Sequence, residues 1–180
     1  KQYDMGKFTL GGKAVPGYFV NNLGVGFDAE VAKTASELPW KKLLYVLNIQ
    51  SFTYVFALIK SIFTYSPRPL TLIVDEVTYE FTNVWFVAVS NHPFYGGGMK
   101  IAPSANPTDG KLTITTVHNL SRIKLLLLFV TVFFGKHTQF REVEVCSGEK
   151  ISITSEHELL IHADGEIVGE SPVVIEVNKA

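Results

Sequence analysis

The sequence predicts a mainly β fold, a β-sandwich with helical insertions, in a single domain spanning residues 1–180. Three observations lead to this prediction. Short apolar or alternating segments bounded by Gly, Pro, Asn or Asp recur along the chain, as in proteins built from roughly eight or more strands. Only two or three segments have helical spacing, and they do not alternate with strands as a parallel sheet requires. Hydrophobic residues make up 47% of the chain and charged residues 18%, which suffices for a full core.

Strands account for most of the predicted elements. The segment 14–32 begins with a short apolar strand and continues through a glycine-punctuated turn. The segment 84–91 is a continuous apolar run, which predicts a strand buried on both faces. The remaining strands are predicted at 69–83, 111–117, 159–169 and 173–179, and the segment 142–156 predicts a hairpin that turns at Ser147 and Gly148.

Two apolar segments have helical spacing. Residues 39–66 are rich in Leu, Ile and aromatic residues at three- and four-residue intervals, and they predict one or two helices. Residues 119–137 predict another helix, with Asn119 or Ser121 as its N-cap and Gly135 at its end. Both segments are predicted to pack on the sheet as core helices or to touch a membrane surface.

The most apolar run of the sequence, Ile123–Phe134, is too short to cross a bilayer, because a spanning helix needs about 20 apolar residues. Contact with a membrane surface is a separate possibility. Trp40, Lys41 and Lys42 stand beside an aliphatic run, which is the composition of an interfacial helix.

Charge and cysteine content exclude two classes of protein. Sixteen Lys and Arg residues oppose 17 Asp and Glu residues, and the net charge of -1 argues against a dedicated nucleic-acid surface. The single cysteine, Cys146, excludes an internal disulfide framework and fits a reducing compartment. No Cys or His grouping has the spacing of zinc ligands.

Three short motifs are candidates for chemistry. The first, at 21–31, contains Gly24 and Gly26 in a lone G-x-G pattern, which indicates a turn with positive φ more strongly than a phosphate loop. The second is the long loop 92–110, with three successive glycines at 96–98. Its Asp109–Gly110 pair is either a plain turn or a site for a hard cation such as Mg²⁺.

The third motif, at 162–166, holds two acids around one glycine. On an extended chain Asp164 and Glu166 would face the same side and present two carboxylates together. That arrangement suits a general base beside an acid that organises a metal ion. The alternative is an Asp-Gly hairpin turn with two exposed acids, and the residues leave the two interpretations open.

Together these motifs resemble the bacterial diacylglycerol kinase family of lipid kinases, which includes the sphingosine and ceramide kinases. The segment 18–31 resembles the family pattern F-x-N-x-x-G-x-G-F-D-A, the segment 96–114 resembles its glycine loop followed by A-P-x-A-x-x-x-D-G-x-L, and 164–166 resembles its D-G-E motif. The three motifs occur in the family's order, and the match runs over nearly the whole chain.

The resemblance implies the second, C-terminal domain of a two-domain lipid kinase, with the active site between the domains. The first domain of the family binds the nucleotide and carries a G-G-D-G-T motif, which this sequence does not contain. We therefore expect the chain to carry the lipid-side half of the site, and to be inactive by itself. Two alternatives remain. NAD kinases have a similar two-domain architecture, so a soluble nucleotide kinase is one alternative. A non-catalytic lipid-binding or scaffolding sandwich is the other.

The resemblance also implies roles for five residues. Asp164 matches the general base that takes the proton from the lipid hydroxyl, and Glu166 matches the acid in the Mg²⁺–water network near the ATP phosphates. Asp109 matches the side-chain ligand of a second, structural cation, with the backbone carbonyls of Asn106 and Lys111 completing that site. Mg²⁺ and ATP are thus the expected cofactors, with ATP bound mainly by the other domain.

The expected partners follow from the same resemblance. They are a lipid substrate, diacylglycerol or a related lipid, and the membrane surface that holds it, with no nucleic acid. A homodimer is a further possibility. The expected location is cytoplasmic, peripheral to the inner face of the membrane.

Overall fold

The computed structural model describes residues 2–11, 15–37, 51–95 and 98–180. This part of the chain forms eleven strands and three α-helices. The helices are α1 (Phe27–Glu37), α2 (Ser51–Thr64) and α3 (Arg122–Val132). The strands are β1 (Met5–Leu10), β2 (Gly17–Phe19), β3 (Asn22–Gly26), β4 (Arg68–Val74), β5 (Val77–Ser90), β6 (Leu112–His118), β7 (Val143–Gly148), β8 (Lys150–Thr154), β9 (Leu160–Ala163), β10 (Glu166–Glu170) and β11 (Val173–Asn178).

The strands form one curled antiparallel sheet, which confirms the mainly β prediction. Its main path runs β10-β9-β3-β5-β4-β8-β11-β1-β2, and β6 and β7 extend from β5. The long strand β5 joins two halves of the sheet. Its first part pairs with β4, whereas its second part lies between β3 and β6. The pairing shifts register near Val84, so β5 bends where it passes from one half to the other.

The main core lies between the two halves of the curled sheet. It is mostly aliphatic and contains fully buried side chains from both halves, such as Leu23 and Ile114 on one side and Ile151 and Ile175 on the other. Alternating burial along β1 and β4 shows how single strands supply this core with every second residue. Burial between two layers is the arrangement of a β-sandwich.

A second, more aromatic core lies outside the sheet, under the helices. Three aromatic rings pack against one another here, with centroids 5.4 to 5.9 Å apart. They belong to Phe27 of α1, to Tyr65, which follows α2, and to Trp85 of β5. The Trp85 indole N–H donates to the carbonyl of Leu120 at 2.9 Å, so its one polar atom is satisfied although the ring is buried. This cluster fixes α1 and α3 against the β3–β5–β6 half.

Helix α3 begins where the sequence predicts. The Ser121 hydroxyl accepts the Lys124 N–H at 3.3 Å and caps the first turn. Gly135, with φ of +65°, follows the last turn and donates its N–H to Val132. None of the helices in the described part of the chain is long and apolar enough to span a bilayer.

Three sequence predictions about strands are wrong. The segment around Gly24 is not a turn, because it forms the fully buried strand β3 and runs directly into α1, although Gly26 at the end of that strand has the expected positive φ, +94°. The segment 69–83 contains two strands joined at Asp75, and the second continues through 84–90 as one element, β5.

The predicted hairpin at 142–156 also does not form. Strand β7 pairs with β6, whereas β8 pairs with β4 and β11. The Asp75 carboxylate explains the change of partner, since its Oδ1 accepts the N–H groups of Glu149 and Lys150 at 3.0 Å each. These bonds hold the chain beside β4 as it leaves β7. The residues Ser147 and Gly148 favour a turn locally, but they carry no information about a partner as distant in sequence as Asp75.

Two further predictions fall outside the described residues. The first is the interfacial composition of Trp40, Lys41 and Lys42, together with the first part of the helical segment at 39–66. The second concerns the long loop 92–110, of whose three successive glycines Gly96 and Gly97 are not described.

Candidate functional site

The turn between β9 and β10 holds Asp164 and Gly165. Both residues have positive φ, +49° and +89°, and they form a two-residue connection between Ala163 and Glu166, which pair across it. Positive φ at both central positions is the conformation that Asp-Gly favours in a tight hairpin. The premise that this segment is extended is therefore wrong, and Asp164 and Glu166 do not share a strand face by simple alternation.

Asp164 is nevertheless more than an exposed turn residue. Its Oδ1 accepts the N–H groups of Asn21 at 2.8 Å and Asn22 at 3.0 Å, and its Oδ2 accepts that of Val20 at 2.8 Å. A carboxylate has about four acceptor positions, so about one on Oδ2 stays available to a hydroxyl group. The side chain ties the β2–β3 connection to the β9–β10 turn.

Glu166 stands at the start of β10 with an exposed side chain. Within the described residues its carboxylate makes no hydrogen bond or ion pair. An exposed carboxylate that no protein group neutralises suits contact with water or a cation. Glu166 is thus accessible for the predicted role, which stays a prediction.

A third acid, Asp28, lies close to this turn and was not predicted from the sequence as a site residue. Asp28 stands in the first turn of α1 and its side chain is 14% exposed. Its Oδ2 is 3.2 Å from His162 Nε2 and accepts the Tyr95 hydroxyl at 3.0 Å. A side chain added at Gly24 would overlap both Asp28 and His162, so this glycine makes room for the pair.

Burial and the adjacent Asp28 carboxylate raise the pKa of Tyr95 well above its usual range. The phenol therefore stays protonated and acts as a donor to Asp28. The signal that could have found this group is the acid two residues after the glycine-containing strand β3, in the first turn of α1, where a helix N-terminus favours negative charge.

Asp109 forms a local turn before β6. Its Oδ1 accepts the Lys111 N–H at 3.0 Å, and its own N–H points to the Asn106 carbonyl at 3.4 Å. Asp4 supports this loop, because its Oδ2 accepts the Gly110 N–H at 2.8 Å. The plain-turn interpretation therefore describes the backbone.

The same loop offers an all-oxygen donor set. The second carboxylate oxygen of Asp109 and the carbonyls of Asn106 and Lys111 are the ligand type that Mg²⁺ and Ca²⁺ prefer, with water filling the other positions. Among the described residues no three His, Cys, Asp or Glu side chains are grouped as metal ligands. A cation at this loop would thus have one side-chain ligand, the Asp109 carboxylate, and its other protein ligands would be backbone carbonyls. This is the composition of the predicted ligand set.

Asn91 links the Asp109 loop to the Asp164 turn. Its buried amide donates to the carbonyl of Asp4 at 2.7 Å and to that of Val20 at 2.9 Å. Asp4 holds the Asp109 loop and Val20 donates to Asp164, so one side chain joins the supports of both predicted sites. A groove of about 540 Å³ between β4, β5 and β8 contains none of these residues.

Comparison with protein families gives one domain match. The family described as "YegS C-terminal NAD kinase beta sandwich-like domain" matches residues 21–179, which is most of the chain and includes the Asp28, Asp109 and Asp164 regions.

Curated relatives carry kinase names. The chain is 39% identical over 155 residues to a Bacillus subtilis protein named "Putative lipid kinase YtlR", covering 86% of the chain and 50% of that protein. It is 28% identical over 158 residues to "Diacylglycerol kinase" of Mycobacterium tuberculosis H37Rv, covering 88% of the chain and 48% of the relative. The chain spans about half the length of the curated relatives that it matches.

Solved structures share the fold. Two structures from Bacillus anthracis, one described as "a putative diacylglycerol kinase" and the other as one of the diacylglycerol kinases, superpose with TM-scores of 0.67 and 0.62, at 21% and 18% sequence identity. Each match covers 99% of this chain and 54% or 51% of the other chain. At this identity the likeness establishes the sandwich fold alone.

Proposed function

This chain belongs to the family of YegS C-terminal NAD kinase beta sandwich-like domains, and from that premise we propose that it is the lipid-side domain of an ATP-dependent lipid kinase. The acceptor is the hydroxyl group of diacylglycerol or a related lipid. The relatives' names support a lipid kinase, and because they are about twice as long, the activity is assigned to the full-length protein.

The observation that carries the proposal is the way the fold holds Asp164. Three backbone N–H groups orient its carboxylate, which stays exposed at the sheet edge. A base must be within hydrogen-bond reach of the proton that it takes, so a fixed and accessible oxygen is the first requirement. We assign Asp164 as the general base that accepts the hydroxyl proton.

Glu166, on the same hairpin, would face the phosphate side of the cleft. Its uncompensated carboxylate would orient water around Mg²⁺, which neutralises charge on the ATP phosphates when it is bound. Phosphoryl transfer depends mainly on positioning and charge neutralisation, so a domain that supplies a base and an oriented acid fits the need. The nucleotide itself would be held mainly by the other domain.

Asp109, with the Asn106 and Lys111 carbonyls, would hold a second cation of structural importance. The contacts of Asp4 and Asn91 give such a cation a route to influence the Asp164 turn, because both sites share these supports. A cation that rigidifies this loop would stabilise the cleft without touching the substrate.

Helices α2 and α3 support association with a membrane surface. Their outer faces expose large apolar side chains, among them Phe63 at 71% and Ile123 at 76%. Lys60 lies on α2 and neither helix contains Asp or Glu, whereas Lys124 of α3 forms an ion pair with Glu142 and adds little net positive charge. Apolar contact combined with positive charge favours an anionic lipid surface, here the cytoplasmic face of the membrane.

The test is an assay of the full-length protein with labelled ATP and Mg²⁺ against diacylglycerol, a monoacylglycerol, a long-chain base and NAD. We expect label in at least one lipid and none in NAD. Label in NAD alone would support the soluble nucleotide kinase and overturn the lipid proposal.

A non-catalytic lipid-binding sandwich is the second candidate, and the exposed apolar faces of α2 and α3 favour it, since contact with a lipid surface needs no catalytic residue. Liposome sedimentation together with the same assay separates the two. Binding to anionic vesicles without phosphorylation of any lipid would replace the kinase proposal by this one.

A further inference from the structure

We propose that His162 is a positioning residue, a neutral imidazole with its hydrogen on Nε2 that links Asp28 to the Asp164–Gly165 turn. This inference rests on the proposed function and deepens it, because it identifies what holds the base in place from inside the domain.

The hydrogen bond from Gly165 fixes the tautomer. The Gly165 N–H donates to His162 Nδ1 at 3.2 Å, so Nδ1 must carry a lone pair and no hydrogen. A neutral ring then has its hydrogen on Nε2, which lies 3.2 Å from Asp28 Oδ2 and donates to it. The imidazole therefore accepts a hydrogen bond from the turn and donates one to the acid.

The surroundings hold the ring in this orientation. His162 is 5% exposed, and it pairs with Gly24 on one side and Ile167 on the other within the sheet. The Tyr95 ring meets it edge to face, with centroids 6.1 Å apart, and the same tyrosine donates to Asp28. A closed set of contacts thus determines which nitrogen faces which partner.

The consequence concerns the geometry of Asp164. Gly165 is the residue next to the proposed base, and both have positive φ, so an anchor on the Gly165 N–H helps to hold the turn in this conformation. Three N–H groups hold the Asp164 carboxylate from the β2–β3 side, and His162 holds its backbone from the α1 side. A displacement of about 1 Å at a reacting group can lower a rate by about 10²-fold.

Two isosteric variants separate the two hydrogen bonds. In His162→Asn the amide oxygen replaces the Nδ1 acceptor, but the side chain is too short to donate to Asp28. In His162→Gln the amide nitrogen replaces the Nε2 donor, but no acceptor remains for Gly165. His162→Phe removes both, and His157→Phe, on an exposed histidine, is the matched control.

In the full-length kinase we expect His162→Phe to lower kcat by about 10²-fold, with KM for ATP and for lipid little changed. His162→Asn should recover most of that loss, His162→Gln should not, and His157→Phe should match wild type. Wild-type kcat in His162→Phe, or equal kcat in the Asn and Phe variants, would overturn the inference.

A spectroscopic measurement tests the tautomer without reference to activity. In the full-length protein labelled with ¹⁵N-histidine, we expect His162 to show a hydrogen on Nε2 and none on Nδ1, and the Gly165 amide resonance to move in His162→Gln and stay in His162→Asn. A hydrogen on Nδ1 would overturn the inference even in an active enzyme. A protein with the expected tautomer that phosphorylates no lipid would instead overturn the proposed function.

Discussion

The two Asp-Gly turns of this domain have the same residues and different environments. Asp109–Gly110 precedes β6 and Asp164–Gly165 precedes β10, and the glycines have φ of +71° and +89°. Asp109 bonds to Lys111, two residues away, whereas Asp164 bonds to backbone groups 142 to 144 residues away. Asp164 also has positive φ, +49°, whereas Asp109 does not, so the same dipeptide adopts two backbone conformations, and the neighbouring strands determine what its carboxylate supports.

The largest expected difference between the turns is in catalysis. In the full-length kinase, Asp164→Asn should lower kcat by about 10²–10⁴-fold, the usual contribution of a positioned base. Asp109→Asn should lower kcat far less, because that residue has no proposed contact with the reacting atoms and acts only through the loop that it supports. Steady-state kinetics at saturating ATP and lipid measure both.

In Asp164→Asn the new amide N–H₂ group lies near the Val20 N–H, which donates to the carboxylate in the wild type, so two donors face each other. Because this could destabilise the fold, thermal melting of the two variants provides the control. A folded Asp164→Asn variant with wild-type kcat would show that both turns are structural only.

Stabilisation by a bound cation should depend on Asp109 and not on Asp164. At 100 times its dissociation constant, a cation bound at the Asp109 loop should raise the free energy of unfolding by about 2.7 kcal/mol. Asp109→Ala should abolish this increase, and Asp164→Ala should retain it. Melting curves across a Mg²⁺ and a Ca²⁺ titration measure the effect, and an unchanged wild-type melting temperature in both would remove the cation proposal.

Stability without added cation should fall more at the turn with distant partners. Asp164→Ala deprives three N–H groups of their acceptor, two of them in exposed positions where water replaces it, so we expect a loss of about 1–3 kcal/mol. Asp109→Ala removes one local bond and should cost about 0.5–1.5 kcal/mol. Urea unfolding measures both, and a larger loss for Asp109→Ala would contradict the comparison.

The smallest expected difference between the turns concerns their glycines, whose substitution should cost the same stability in both. Gly165→Ala and Gly110→Ala each place an L side chain at positive φ, which costs about 1–2 kcal/mol. Nothing lies within 4 Å of the added carbon at Gly165, and only the flexible end of Lys179 is near Gly110. We therefore expect equal losses in urea unfolding. A clear inequality would show that the two turns differ in backbone strain as well as in partners.

Elements with local signals were predicted well. The Ser121 cap, the end of α3 near Gly135 and the turn at Asp109 each depend on residues a few positions apart, so the sequence analysis located them. The hairpin at Ser147 and Gly148 was wrong, since β7 and β8 each find partners elsewhere in the sheet.

The candidate site shows the same division. Asp164, Glu166 and Asp109 were singled out from their local motifs, and the resemblance to a family implied their roles, whereas Asp28 and His162 were overlooked. Asp28 and His162 are 134 residues apart, so no local pattern in the sequence indicates that they meet. Their contact follows from the pairing of β3 with β9, which sets Gly24 opposite His162.

By itself the sequence determined the mainly β class, the capped helix α3 and the family to which the domain belongs, because alternation, capping and short motifs are properties of neighbouring residues. The tertiary structure decided which groups meet. The turn at Asp164 acquires its three donors from the β2–β3 connection, and the His162 ring acquires a defined tautomer from Gly165 and Asp28. Strand register brings these residues together, and register is settled by burial over the whole sheet rather than by any one segment.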